Sequence, residues 1–496
     1  LNIRWIDLSN SLANELADLP TLVGQGRATV VKERPQRCVY RIHIAGQDLH
    51  VKQCKVRGWR AWLRDRFRAP KARLEYAKLL AAIARQVPTI QPLGYGVASD
   101  QSFLVTPTVG GALPLDQFLE RPHLPTEGFA LAEALGRFMA RIHTAGVHHP
   151  DPHPGNILIR DAELFLLDLH DARLGAPLGE RASIANLVLL NRWFILRANR
   201  AARLRFWRAY VAERKLLDYF HANEVERRTW QSNLRFWRGR AKRCVGENRR
   251  FRRVSFGNIS GFAARDSADD ALLRDPEALF TGTTILKDSH SSAVSVSGAI
   301  LCKHFRRSSR ACRRAWINGH AFLDCLLPTP RPLAMACRYR FGMPRDGFLL
   351  TEFIPDAINL RDAVTDDLKR CERIDHVARL IRHLHQRGWS HRDLKAANIL
   401  LAPNSGGRES AWIIDLAGAS RPIRLSRDRR AKDLARLNAS FHDLPLLSRT
   451  DRLRFLRLYL NWNLHGRGDW KSWWKCVDAH TRRKVAKNRR RGRPLA

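Results

Sequence analysis

Residues 388–401 read GWSHRDLKAANILL, and the polar residues inside this apolar run decide how the chain is understood. Asp393 and Asn398 stand five positions apart, close enough for one loop to bring a carboxylate and an amide to the same place. Further on, WIIDLAGA (412–419) carries Asp415 at the end of an apolar, strand-like run. Two carboxylates and an amide oxygen are hard donors of the kind Mg²⁺ takes, several waters completing its shell. A lone His-x-Asp would mean little, so recurrence matters. In the first half, HPDPHPGN (149–156) places Asp151 and Asn156 at the same spacing, and FLLDLHDA (165–172) supplies Asp168.

Working outward, the whole chain repeats. Residues 69–94 align without gaps on 309–334, setting Pro88 on Pro328, Pro92 on Pro332 and Leu93 on Leu333. FLVTPTVGGALPL (103–115) falls on FLLTEFIPDAINL (348–360), and RLRF recurs at 203 and 452. Trp230–Arg253 is set on Trp470–Arg493, with Asn248 on Asn488. A repeat this long is a duplicated domain and not a solenoid, which places the domains at 1–253 and 254–496. Each copy opens with short apolar runs and turn signals, such as Ala45-Gly46 ahead of LHVKQ (49–53), that read as hairpins. A helical stretch follows (71–85; 311–326) and stops at Pro88 or Pro328. The remainder shows three- and four-residue apolar spacing. The expected fold is α+β: a small β-rich lobe, then a larger helical lobe, twice.

Composition sets outer bounds. A chain of 496 residues suits two to four domains, and 45% hydrophobic with 27% charged residues fits an ordered protein. The 87 Lys and Arg against 47 Asp and Glu leave a net charge of +40, which draws polyanions: nucleic acid, anionic membrane or phosphorylated glycolipid. Nine Cys without a C-x-x-C pair give neither a disulfide framework nor a zinc site and fit a reducing compartment. The opening LNIRWIDLSN lacks the apolar core of a signal peptide. The longest apolar candidate, 184–196, is broken by Asn186, Asn191 and Arg192, so no membrane span is expected.

His391 to Asn398 is the H-R-D-L-x-x-x-N loop of kinases, complete. In that pattern Asp393 receives hydrogen from the acceptor hydroxyl, while Asn398 and Asp415 hold the metal. Asp151, Asn156 and Asp168 repeat the set, in the Asp-x-His-x-x-Asn form of small-molecule phosphotransferases. A strand lysine in each copy, Lys52 in LHVKQ and Lys303 in ILCKHF (300–305), is placed to bind the nucleotide's phosphates. Glu75 in ARLEYAKL is the helix acid that would hold Lys52 by an ion pair, and Ala315 stands at the aligned position. No Gly-rich phosphate loop is present. KERPQRCVYR (32–41) and LKDSHSSAVS (286–295) fill its place, and Ser289, Ser291 and Ser292 could cap phosphates. His143 and His385 precede the two loops at matching places; His143 and His153 suit packing as well as function. Asp433, with Asn186 as its counterpart, is read as a buttress beneath the catalytic loop.

GWSHRDLKAANILL, LPTPRPLA (327–334) and ILKDSHSSAVS (285–295) together resemble the lipopolysaccharide kinases that phosphorylate heptose or 3-deoxy-octulosonate in the inner core of Gram-negative envelopes. The resemblance spans both halves and is strongest over 280–420. It implies a protein-kinase-like fold, ATP with Mg²⁺, a cytoplasmic site and a glycolipid sugar acceptor at the inner membrane face. It carries Lys52 and Lys303 to nucleotide binding, Asp151 and Asp393 to catalysis, and Asn156, Asp168, Asn398 and Asp415 to metal binding. The chain departs from the family in having two domains, Pro150 for the loop Arg, Leu169-His170 and Leu416-Ala417 after the metal aspartates, and Ala315.

Both copies end in Arg-rich stretches (240–253 and 481–494), the second behind Trp470, Trp473 and Trp474. Aromatic residues beside cations suit an anionic membrane surface, with nucleic acid the less favoured partner. Alternatives to a sugar kinase are one active copy with a pseudokinase scaffold, a Ser/Thr protein kinase, which Lys395 favours, and a non-catalytic polyanion binder.

Overall fold

The structure, a computed structural model, describes residues 3–34, 36–56, 69–121, 125–215, 221–266, 270–403, 409–444, 447–460 and 469–492. Contacts divide the chain into two units, Leu1–Asn233 and Leu234–Ala496.

In the first unit, β1 (Arg4–Ile6), β2 (Ala28–Arg34), β3 (Arg37–Ile44), β4 (Gln47–Lys55), β5 (Gly94–Val97) and β6 (Gln101–Pro107) form one antiparallel sheet in the order β1-β5-β6-β4-β3-β2. The β3–β4 hairpin pairs Ile44 with Gln47. Its two turn residues, Ala45 and Gly46, both have positive φ, the geometry that matches strand twist in a two-residue hairpin. Helix α1 (Lys71–Ile83) packs on β5 and β6 and buries Ala72, Glu75, Leu79 and Ala82. It ends as the proline signal implies: Gln86 turns left-handed and the Val87 N–H returns to the Ala82 carbonyl at 3.0 Å.

The larger lobe holds α2 (Pro125–Thr144), α3 (Glu180–Phe194), α4 (Arg200–Glu213) and α5 (His221–Arg240). Met139, Ile142, Leu187, Leu190, Trp207 and Tyr210 are buried together between them. Close approach of α2 and α4 depends on Gly136, where a Cβ would lie 2.4 Å from the Phe206 carbonyl oxygen.

The second unit repeats this plan. Its strands are β7 (Phe251–Phe256), β8 (Ile259–Ala264), β9 (Thr284–Asp288), β10 (Ser292–Ser297), β11 (Ile300–Phe305), β12 (Pro332–Arg340) and β13 (Met343–Glu352), ordered β7-β8-β12-β13-β11-β10-β9. Helix α6 (Ser309–Asp324), capped by the Ser308 hydroxyl, ends with Leu326 left-handed and the Leu327 N–H on the Phe322 carbonyl, as in the first copy. The larger lobe holds α7 (Asp367–Gln386), α8 (Arg427–Ala439), α9 (Arg449–Leu460) and α10 (Trp470–Arg490). Both sheets bulge at the same place, between Val30 and Lys32 and between Ile285 and Lys287. The α+β layout of a β-rich lobe followed by a helical lobe is therefore present twice. No helix among the described residues is long and apolar enough to cross a membrane.

One alignment needs correction. The last helix of each copy does not repeat with Trp230 on Trp470. Thr229, buried on α5, bonds the Val225 carbonyl and receives the Asn191 amide at 3.1 Å. Thr481, buried on α10, bonds the Val477 carbonyl and receives the Asn438 amide at 3.2 Å. The true register sets Thr229 on Thr481, because a buried hydrogen bond fixes a helix and a shared Trp and Arg content does not. Residues 240–253 consequently have no counterpart in α10, and Arg493 lies outside the described residues. Trp237, Cys244 and Phe251 pack within the second unit. Arg421 stands over the Trp237 ring, and Cys244 and Phe251 join the cluster around Trp316.

Trp316 is fully buried, meets Phe251 edge-on at 5.9 Å and donates its indole N–H to the Cys244 carbonyl at 2.9 Å. Trp316→Ala is expected to lower the unfolding free energy of the second unit by about 3–5 kcal/mol, measured by denaturant titration with circular dichroism.

Candidate active site

In the second copy, Lys303 sits on β11, an inner strand paired to β10 and β13. Its Nζ lies 2.7 Å from Asp415 Oδ1. Asp415 is held left-handed (φ 57°, ψ 60°), a conformation that costs a non-glycine residue and persists only when its surroundings enforce it. The surroundings are specific. Asn318 on α6 donates its amide to the carbonyls of Leu416 and Ala419 at 2.8 and 2.9 Å. His391 Nε2 bonds the Ile414 carbonyl at 2.9 Å, and the Ile414 N–H bonds the Asn398 carbonyl at 3.0 Å. Asn398, almost fully buried, donates Nδ2 to the Asp393 carbonyl at 2.8 Å, which leaves its amide oxygen to accept or to ligate. Asp393 itself is exposed. Lys395 follows, half-buried, and its backbone closes the loop: its N–H bonds the Asp393 carbonyl and its own carbonyl receives the Asn398 N–H.

Beneath the loop lies Asp433, with no exposed surface. Its carboxylate accepts the N–H groups of His391 and Arg392 at 3.0 and 3.1 Å and faces His385 at 3.4 Å. His385 in turn meets the Tyr459 hydroxyl at 2.7 Å. The first copy builds the same brace with different chemistry. Pro150 has no N–H to offer, so only an amide is needed there: Asn186 donates Nδ2 to the His149 carbonyl at 2.5 Å. Its oxygen receives His143 Nε2 at 3.0 Å, and His143 Nδ1 accepts the Tyr210 hydroxyl at 2.9 Å. His143 and His385 are thus buried bracing residues. His153 Nδ1 accepts the Gly155 N–H at 3.0 Å and caps the short turn at Pro154–Asn156.

The rest of the first-copy loop follows suit. His149 Nε2 bonds the Leu167 carbonyl at 3.0 Å, and Asn156 Nδ2 donates to the Asp151 carbonyl at 3.0 Å. Lys52 Nζ contacts the Glu75 carboxylate at 2.5 and 2.6 Å and Asp168 Oδ1 at 2.8 Å, in a setting where Lys52 and Glu75 are both largely buried. Lys78 on α1 donates to the His170 carbonyl at 2.6 Å. Lys78 and Asn318 occupy aligned positions, so one helix residue clamps the turn after the aspartate in each copy.

Two groups around Asp168 escaped the sequence reading. Arg37 Nη1 lies 2.9 Å from Oδ2, and His170 Nδ1 lies 2.7 Å from Oδ1. Burial would push the Asp168 carboxyl up. The His170 hydrogen bond and the charges of Lys52 and Arg37 outweigh it and hold the group well below the usual carboxylate range. Glu75, Asp168 and His170 also bring ligand atoms close together, with Lys52 on both carboxylates. Asp415 shifts downward as well, Lys303 overcoming the opposing effect of desolvation.

The hydroxyl-rich turn behaves as a turn. Ser289 donates its hydroxyl to the Ser292 carbonyl at 2.8 Å, Ser292 returns its N–H to Ser289, and the Ser291 carbonyl takes the Arg306 N–H. Ala315 is buried, and Lys303 lies 5.0 Å from the Phe305 ring centre. The donor set of the second copy fits a divalent cation: Asp415 is 37% exposed, Asn398 turns an oxygen free and Asp393 is adjacent. In the first copy both Asp168 oxygens are occupied by cationic or imidazole donors.

A strand lysine, a left-handed aspartate and an Asp–Asn loop seated on a buried brace define a protein-kinase-like bilobal fold, present twice. The chain belongs to the lipopolysaccharide kinase (Kdo/WaaP) family, whose model matches residues 24–210 and 305–459. It is 32% identical over 157 residues to the lipopolysaccharide core heptose(I) kinase WaaP of Escherichia coli, covering 29% of this chain and 58% of that one. It is 32% identical over 137 residues to the 3-deoxy-D-manno-octulosonic acid kinase of Xylella fastidiosa (strain M12), covering 25% and 52%. The chain thus spans about half the length of these relatives. Among solved structures, WaaP in complex with acyl carrier protein is 24% identical with a TM-score of 0.34, covering 46% of this chain and 98% of that chain.

Burial lowers the His143 pKa to about 4, from an unfolded value of 6.5. The unfolded chain therefore binds the extra proton first as pH falls, and stability present above 6.5 is lost progressively toward 4. The shift corresponds to about 3 kcal/mol. His143→Gln should flatten the dependence of unfolding free energy on pH between 4 and 6.5 relative to the unmodified chain.

Proposed function

We propose that the chain is an ATP-dependent phosphotransferase that moves the γ-phosphate onto a sugar hydroxyl of a lipopolysaccharide core. Its two kinase-like domains meet between the contact boundary at Asn233–Leu234 and the 253–254 division expected from the repeat, with β7 (Phe251–Phe256) already part of the second sheet. The observation that carries this reading is the second-copy cluster, in which Lys303 meets Asp415 while Asn398 turns back onto Asp393. Family membership supports the acceptor class, since the named relatives are heptose and 3-deoxy-octulosonate kinases.

Lys303, and Lys52 steadied by Glu75, hold nucleotide phosphates. Asp393, exposed at the loop tip, receives the acceptor hydroxyl's proton, and Asp151 stands at the matching place in the first copy. In the second copy Asn398 and Asp415 would hold Mg²⁺; Asn156 and Asp168 stand at the matching positions of the first. The metal, when bound, neutralises charge on the phosphates. The protein's own part is positioning: the His391 and Asn398 bonds to Ile414 fix the separation of loop and strand end, so the attacking oxygen and phosphate meet in one orientation. Lys395, two residues after Asp393, would steady the transferring phosphate.

Asp393→Ala and Asp415→Asn are each expected to lower transfer from labelled ATP to purified core lipopolysaccharide by about a thousandfold or more. Unchanged turnover in both variants would remove the assignment. Transfer to cell protein in place of lipopolysaccharide would shift the reading to a protein kinase.

The net charge of +40 favours peripheral contact with anionic lipid. Trp473 is buried beneath Arg427 and Arg430, whereas Trp470 and Trp474 remain half-exposed and available to an interface. In vesicle flotation the protein should rise with vesicles containing anionic lipid and stay down with neutral ones. Equal flotation would end this part of the reading.

A further inference from the structure

The two metal-site aspartates are set in different electrostatic surroundings, and strand register identifies the cause. In the first copy the β3–β4 ladder sets Arg37 opposite Cys54, two residues beyond Lys52. In the second, the β10–β11 ladder sets Ser292 opposite Phe305, two residues beyond Lys303. Arg37 and Ser292 therefore occupy one structural position, and only the first copy places a cation there. That cation reaches Asp168 Oδ2 at 2.9 Å, while Lys52 and His170 reach Oδ1 at 2.8 and 2.7 Å. Asp168 is 18% exposed and Asp415 is 37% exposed.

We propose that the first copy binds nucleotide phosphates without a divalent metal, Arg37 supplying the positive charge that the metal supplies in the second copy. This rests on the phosphotransfer reading given above. A divalent cation approaching Asp168 would enter the field of two fixed side-chain cations a few ångströms away, at a carboxylate whose two oxygens already accept. Like charges at such distances repel strongly in partly buried sites. A guanidinium, by contrast, matches phosphate oxygens with paired N–H donors and stays charged at any working pH. Asp168 then serves as the counter-ion that holds Arg37 and Lys52 in place until phosphates take them over. The loop below agrees with a site that binds without turning over. Pro150 stands where the second copy has Arg392, and the Asp151 N–H bonds back to His149 Nδ1 at 3.1 Å.

The test uses the full chain with ADP as probe, in EDTA and in Mn²⁺. ADP binding is followed by calorimetry, and bound Mn²⁺ is counted from the loss of its free paramagnetic signal. In EDTA the unmodified protein should keep one ADP site, and Asp415→Asn should keep it too. Arg37→Ser should weaken that site about tenfold or more and should add ADP-dependent Mn²⁺ binding. Asp168→Asn in the Arg37→Ser background should remove the added Mn²⁺. Arg37→Gln, which keeps chain length without charge, should match Arg37→Ser if charge is the cause and guards against a folding defect, which thermal unfolding would reveal. The proposal is overturned if EDTA abolishes all ADP binding, or if Asp168→Asn alone sheds as much bound Mn²⁺ as Asp415→Asn alone. Absence of ADP binding under every condition would overturn the phosphotransfer reading itself, a result distinct from metal-dependent binding at both copies.

Discussion

The contact on which each copy depends is the ion pair between a sheet lysine and an aspartate at the end of a strand in the helical lobe: Lys52 with Asp168, Lys303 with Asp415. It joins the two lobes across the place where phosphates would lie, and it requires the aspartate backbone to turn left-handed. Such a turn is unfavourable for a residue with a Cβ. Each copy enforces it from three sides, by the loop histidine on the preceding carbonyl, by the loop asparagine's main chain, and by a helix side chain on the turn that follows. Much of the conserved geometry between the copies is this support.

The copies reach that geometry with different residues, and the differences are coupled. Asp433 is needed where His391 and Arg392 present two N–H groups, and an amide suffices where Pro150 removes one. Lys78 and Asn318 differ in charge yet both donate to carbonyls of the turn after the aspartate. Glu75 orders Lys52, whereas Ala315 leaves Lys303 to Asp415 and the Phe305 ring. A substitution that looks like decay when read alone can be compensated by its neighbour. The cation at Arg37 is different in kind, since it changes what the site can accept.

Much of this was legible in the chain. The spacing of Asp393 and Asn398, the lysines in LHVKQ and ILCKHF, Glu75, the helix stops before Pro88 and Pro328, and the bracing role of Asp433 are local patterns whose chemistry follows from residue type. The misplaced end of the repeat shows where composition fails. Trp and Arg content aligned Trp230 with Trp470, while the pairs Val225–Thr229 and Val477–Thr481, each a valine and a threonine one helical turn apart, carried the true register. The serine turn at 289–292 was read as a phosphate cap; once the hairpin closes, the Ser289 hydroxyl is taken up by the Ser292 carbonyl and N–H.

The sequence by itself determined the duplication, the α+β order of elements and which lysine, aspartate and asparagine side chains each copy brings to one place, because these rest on periodicity and on short spacings along one strand or loop. Only the tertiary structure decided how those groups are paired. Arg37 and Asp168 are far apart in the chain and meet because β3 overlies the strand end. Thr229 and Thr481 are aligned by bonds to asparagines on a neighbouring helix. Charge balance at a site depends on distances between segments that no local pattern encodes, so the contrast between the two copies became visible only when the chain was folded.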